Sequence, residues 1–86
     1  MNEVSIFTTQ DCVFCNKLKS LLDVGGIDYI DYDINNDKNN LSFIKIVEIT
    51  KEDSVPTIIV GKQLIVPNKS FKTIDQAFEI INKLTK

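Results

Sequence analysis

EVSIFTTQDCVFCNKLKSLLDVGG, residues 3–26, is the stretch whose reading decides the fold. Val4, Ile6 and Phe7 are β-forming residues, and the run from Glu3 to Thr8 stops at the polar Thr9-Gln10-Asp11, which predicts a short strand followed by a loop. From Cys12 onward, Phe14, Leu18, Leu21 and Leu22 recur at helical spacing. Asn16, Lys17, Lys19 and Ser20 take the other faces, and Gly25-Gly26 closes the segment. The pattern is an amphipathic helix with Cys12 at its start.

Working outward, Ile27–Ile34 (IDYIDYDI) sets Ile30, Tyr32 and Ile34 against Asp31 and Asp33, the alternation of a half-exposed strand with the two aspartates on its solvent side. Asn35–Asn40 reads as a polar loop. Leu41–Ile49 fits a helix through Leu41, Ile44, Val47 and Glu48, although its β-branched content would also suit a strand; the order of elements favours the helix. Thr57–Val60 is a compact apolar strand, Gly61-Lys62 a tight turn, and Gln63–Val66 the returning strand of a hairpin that Pro67 ends at a sheet edge. Thr73 followed by Gln76 is a capping-box pattern, and Ile74, Ala77, Phe78, Ile81 and Leu84 make the apolar face of a last helix. The expected architecture is α/β: a βαβ unit followed by a helix, an antiparallel hairpin and a final helix, which gives a four-stranded mixed sheet flanked by three helices on both faces.

A chain of 86 residues, 43% hydrophobic and 26% charged, is expected to fold as one domain over 1–86. MNEVSIFTT lacks a basic run followed by a long apolar stretch, and no run of about eighteen apolar residues occurs, so a soluble cytoplasmic protein without a membrane partner is expected. The net charge of -2 and the absence of Arg argue against a nucleic-acid surface. A monomer is expected. Histidine is absent, which removes the commonest general base and the commonest metal ligand.

The chemistry therefore rests on the only two cysteines, Cys12 and Cys15. A helix N-terminus offers unpaired N–H groups and partial positive charge, which lowers a thiol's pKa and makes Cys12 the nucleophile. Cys15, one turn further in, would attack the mixed disulfide on Cys12 and release the substrate thiol. Lys17 and Lys19 add positive potential, which Asp11 opposes. Two alternatives stand beside this reading. A structural disulfide across so short a loop would stabilise little. Two cysteines cannot fill a tetrahedral metal site, so no metal is expected within one chain, but two chains could share a [2Fe-2S] cluster through four thiolates. Val55-Pro56, just before a buried strand, admits either a cis bond in a tight turn or an ordinary trans proline.

Taken together, Cys12-Val13-Phe14-Cys15 with Asn16-Lys17-Leu18-Lys19, the Ser54-Val55-Pro56-Thr57 segment and the hairpin after it resemble the glutaredoxins over nearly the whole chain. Val13, in place of the usual proline, is reminiscent of phage glutaredoxins and of the redoxins that reduce ribonucleotide reductase. The resemblance implies a thioredoxin fold, a dithiol glutaredoxin in which Cys12 attacks, a cis Pro56 facing the dithiol, and pairing of the Val55 backbone with glutathione. It further implies glutathione as co-substrate rather than a permanently bound cofactor, with disulfide-containing proteins, ribonucleotide reductase among them, as partners. Phe14 stands where the family carries Tyr or Phe. Where the family has Gly-Gly, then a small residue and Asp, the chain reads LIVPNKSFKT over 64–73 and carries extra residues before the last helix. Thr73 and Asp75 are left to take the γ-glutamyl end, although they equally suit a helix cap and first turn. Without Arg, a substrate carboxylate falls to lysine or to backbone N–H groups, with Lys17, Lys45, Lys51 and Lys69 as the lysine candidates. The lost Gly-Gly also admits a redoxin reduced by thioredoxin reductase, with no glutathione site.

Overall fold

The structure, a computed structural model, describes residues 3–85. Its elements run β1 (Val4–Thr8), α1 (Val13–Val24), β2 (Ile30–Asp33), α2 (Asp37–Thr50), β3 (Thr57–Val60), β4 (Gln63–Ile65) and α3 (Ile74–Leu84). The sheet order is β2-β1-β3-β4, with β1 parallel to β2 and antiparallel to β3, and β4 antiparallel to β3. This is the expected mixed sheet: α1 carries the crossover that a parallel pair requires, and Gly61, at φ 61°, turns the hairpin.

Alternation along the central strand β1 divides the core. Val4 and Ile6 face Leu18 and Leu22 of α1 and Ile74, Ala77 and Ile81 of α3. Phe7 points to the other face, where it packs with Phe43 and Ile46 of α2 and stacks on Tyr32 at 5.4 Å between ring centroids. Helices thus cover both faces, as strands buried on two sides demand.

Three features depart from or add to the sequence reading. Asn35–Asn40 is not wholly a loop: Asn36 is the N-cap of α2, its side chain accepting from Lys38 N–H at 3.0 Å and Asn39 N–H at 3.4 Å, so the polar residues after it form the first turn. Asn36→Ala should cost about 1 kcal/mol, read as a lowered urea midpoint with unchanged slope. Strand β2 begins at Ile30 rather than Ile27, because Gly26 at φ 69° and Ile27 N–H donating to Leu22 C=O at 2.9 Å belong to the exit from α1. At the same exit Gly25 lets the ring of Phe78 come close: a Cβ there would stand 3.1 Å from it, so α1 and α3 approach through a glycine.

The third concerns Asp31. The parallel register sets it beside Ile6, on the face that α1 covers. Its Oδ1 accepts from the buried Thr8 hydroxyl at 2.5 Å and its Oδ2 lies 2.6 Å from Lys19 Nζ. Asp31 stays exposed to solvent, as the strand pattern predicted, and through these two contacts it also ties α1 to β1 and β2. Lys19 is spent on that pair rather than on the potential around Cys12.

Candidate active site

The loop Thr9–Asp11 leads from β1 into α1 so that Cys12 is the helix N-cap, in extended conformation (φ −88°, ψ 108°). Its Sγ accepts from Cys15 N–H at 3.1 Å, the place a capping oxygen would take. An N–H aimed at sulfur, with the helix dipole behind it, favours a sulfur anion at that position. The two cysteines are disulfide-bonded with Cα atoms 5.2 Å apart, the oxidised form of the pair.

Their surroundings differ sharply. Cys15 is 0% exposed, on the buried side of α1 with Leu18 and Leu22, whereas Cys12 is partly open to solvent. An external thiol or disulfide can therefore reach Cys12, while Cys15 is reached from Cys12. Val13 and Phe14, 76% and 63% exposed, set an apolar rim at the mouth of the site.

A groove of about 530 Å³ begins at Phe14 of the Cys12–Cys15 motif, and neither cysteine is among its lining residues. Phe14 and Lys17 enter it from α1, Val55 and Pro56 from the turn before β3, and Thr73 and Asp75 from the start of α3. All six residues that the sequence reading assigned to glutathione thus line one cavity. The Val55-Pro56 peptide bond is cis, the isomer that the resemblance implied. Lys17 Nζ lies 3.9 Å from Asp75 Oδ1, an exposed pair linking α1 to α3. The Thr73 hydroxyl oxygen accepts from Gln76 N–H at 3.2 Å, and Gln76 Oε1 accepts from Lys72 N–H at 2.8 Å and Thr73 N–H at 3.3 Å, so the capping box forms and spends part of Thr73's bonding capacity.

Of the four lysines considered for a carboxylate, the groove takes in Lys17 alone. Lys45 lies by α2 on the other face of the sheet, Lys51 is the left-handed C-cap of α2 at φ 60°, and Lys69 Nζ donates to Thr50 C=O at that helix's end. The groove also contains residues that the sequence reading did not assign: Ser54, Pro67, Asn68, Phe71, Lys72 and Ile74. Most come from the segment before α3, which closes on itself. Ser70 N–H donates to Val66 C=O at 2.9 Å, Val66 N–H to Ser70 Oγ at 3.1 Å, and Asn68 N–H to Phe71 C=O at 2.9 Å. The one signal pointing to Lys72 was its place directly before the Thr73 cap.

As for a cluster, Cys15 is buried, and among the described residues no third His, Cys, Asp or Glu gathers with the pair to hold a metal ion. Within one chain the donor set presents one accessible sulfur, and no step is derived through a metal group.

The glutaredoxin family model matches residues 4–65, well over half of the chain. The chain belongs to the glutaredoxin family. Membership makes it a thiol-disulfide oxidoreductase, and the Cys12-Cys15 pair agrees with the dithiol type. The match ends at Ile65, directly before the segment where the chain departs from the family's Gly-Gly pattern. A search of curated protein sequences found no match.

Among solved structures, a buckwheat glutaredoxin–glutathione complex superposes with a TM-score of 0.72 at 19% identity, over 95% of this chain and 70% of that one. The holo form of glutaredoxin C1 from Populus tremula x tremuloides gives 0.69 at 21% identity, over 93% and 74%. A thioredoxin-like protein gives 0.69 at 17% identity, over 95% and 99%. At such identities the likeness is one of fold, and that fold is the thioredoxin fold.

Proposed function

We propose that the chain is a glutathione-linked dithiol glutaredoxin that reduces protein disulfides and glutathione mixed disulfides. The observation that carries this reading is the groove that starts at Phe14, between the two cysteines in the chain, and gathers Phe14, Lys17, Val55, Pro56, Thr73 and Asp75 from three separate segments. In the proposed cycle the Cys12 thiolate attacks one sulfur of the substrate disulfide; a Cys12–substrate bond forms and the other sulfur leaves as a thiolate, which takes up a proton. Cys15 then loses its proton and attacks Cys12 Sγ, expelling the second substrate thiol and leaving the Cys12–Cys15 disulfide. Two glutathione thiols return the pair to the dithiol and become glutathione disulfide, so two electrons pass in each direction. Ribonucleotide reductase is one protein disulfide this cycle would serve, in a reducing cytoplasm, with the protein acting as a monomer.

A second reading has a specific observation in its favour. The segment Val66–Lys72 stands where the family's Gly-Gly leaves room for glutathione, and Phe71 and Lys72 line the groove. A redoxin fed by thioredoxin reductase needs no such room. Turnover of a glutathione mixed disulfide, coupled to glutathione reductase, separates the two. The proposal expects saturable turnover with the wild type; inactivity there, together with electron uptake from thioredoxin reductase, would install the second reading.

A further inference from the structure

Three charged side chains line the groove: Lys17, Lys72 and Asp75. In a chain of net charge -2 this patch carries one positive charge more than it carries negative. The two lysines are not equivalent. Lys17 lies 3.9 Å from the Asp75 carboxylate, which offsets its charge. Lys72 makes no ion pair among the described residues, and its ammonium is open to water.

The backbone at Lys72 is nevertheless held firmly. Its N–H donates to Gln76 Oε1 at 2.8 Å, Phe71 before it is buried against α3, and Ile74 two residues on is buried in the same core. A fixed Cα with a free four-carbon stem lets a cation reach along the groove without rearranging the wall. We propose that Lys72 is the specificity-determining cation of this groove, binding a carboxylate of the thiol substrate and so selecting disulfides of anionic thiols over neutral and cationic ones. Lys17, already answered by Asp75, contributes less. The inference deepens the proposed function and rests on its premise that the substrate's organic part lies in this groove during attack by Cys12.

The test uses the reduced full-length protein and measures second-order rates of its oxidation by four small disulfides, by quenching with an alkylating agent and mass spectrometry. Glutathione disulfide and dithiodipropionate are anionic, hydroxyethyl disulfide is neutral and cystamine is cationic. The readout is the ratio of each rate to that for hydroxyethyl disulfide, which cancels any change in Cys12 itself.

In Lys72→Gln the two anionic ratios should fall about fivefold, the upper range for a solvent-exposed charge pair. In Lys72→Glu they should fall further, while the cystamine ratio rises, and the wild-type preference should shrink at about 1 M salt. Lys62→Glu, at the far end of β3 from Pro56, makes the same change in net charge and should keep the wild-type ratios. Unchanged ratios in both Lys72 variants overturn the proposal, as does an equal fall in Lys62→Glu, which would reduce the effect to overall charge. A wild type that favours dithiodipropionate but ignores glutathione disulfide sinks the glutathione reading while leaving the role of Lys72 standing.

Discussion

Cys12→Ser is expected to abolish reduction of a glutathione mixed disulfide, a loss of roughly a thousandfold or more, because a hydroxyl neither ionises near neutral pH nor forms the S–S bond on which exchange depends. Cys15→Ser should keep most of that activity yet lose protein disulfides. The distinction follows from access. Cys12 is partly open and its Sγ receives the Cys15 N–H at 3.1 Å, whereas Cys15 is 0% exposed and reaches substrate only through Cys12. A small thiol can replace Cys15 in resolving a glutathionylated Cys12. A protein mixed disulfide, with a bulky partner over the site, needs the internal thiol. The assay coupled to glutathione reductase measures the first activity, and gel-shift alkylation of an oxidised protein substrate the second. An active Cys12→Ser together with a dead Cys15→Ser would reverse the assignment. Since Cys15→Ser buries a hydroxyl in an apolar place, its thermal midpoint should be recorded alongside; a cost of about 1–2 kcal/mol still leaves a folded protein.

Leu18→Ala should be strongly destabilising, costing about 3 kcal/mol. Leu18 is 0% exposed and belongs to the core cluster that joins α1 to β1, β3 and α3 through Ile6, Ile58 and Ile81. A domain this small buries one modest core, so such a loss is a large share of its total stability. Urea unfolding followed by far-UV circular dichroism reads the change as a shift in midpoint at constant slope. Val24→Ala, on the same helix but 89% exposed, is the control and should stay within about 0.5 kcal/mol. Were Leu18→Ala to cost no more than Val24→Ala, the packing of α1 on the sheet described above would be wrong.

Much of the fold was written locally. The β-forming run Val4–Thr8, the helical recurrence of Leu18 and Leu22, the Gly61 turn and the Thr73–Gln76 capping box each specify their own segment, because each depends on neighbours within about four residues. They appear in the structure where the residues predicted them, with β3 at Thr57–Val60 and α3 capped by Thr73. Asn36 went unread because an Asn that caps a helix looks, in sequence, like any other polar loop residue.

The dithiol was equally legible, since both cysteines lie within one helical turn. The six groove residues were named through the family resemblance; their gathering into one cavity depends on long-range packing. Three things were decided by tertiary structure alone. Asp31 alternates like a solvent-facing residue and is exposed, but the β1–β2 register also brings it to Thr8 and Lys19, a pairing its neighbours in sequence do not encode. Four lysines of equal standing in the sequence were separated, because α2 and its end hold Lys45, Lys51 and Lys69 away from the groove that admits Lys17. Lys72 was added by the closed turn before α3. Such outcomes hinge on contacts between residues far apart in the chain, and no local period or propensity encodes those. The sequence by itself determined the elements, their order and the reacting thiols; the packing of those elements decided which charges line the groove and which are spent elsewhere.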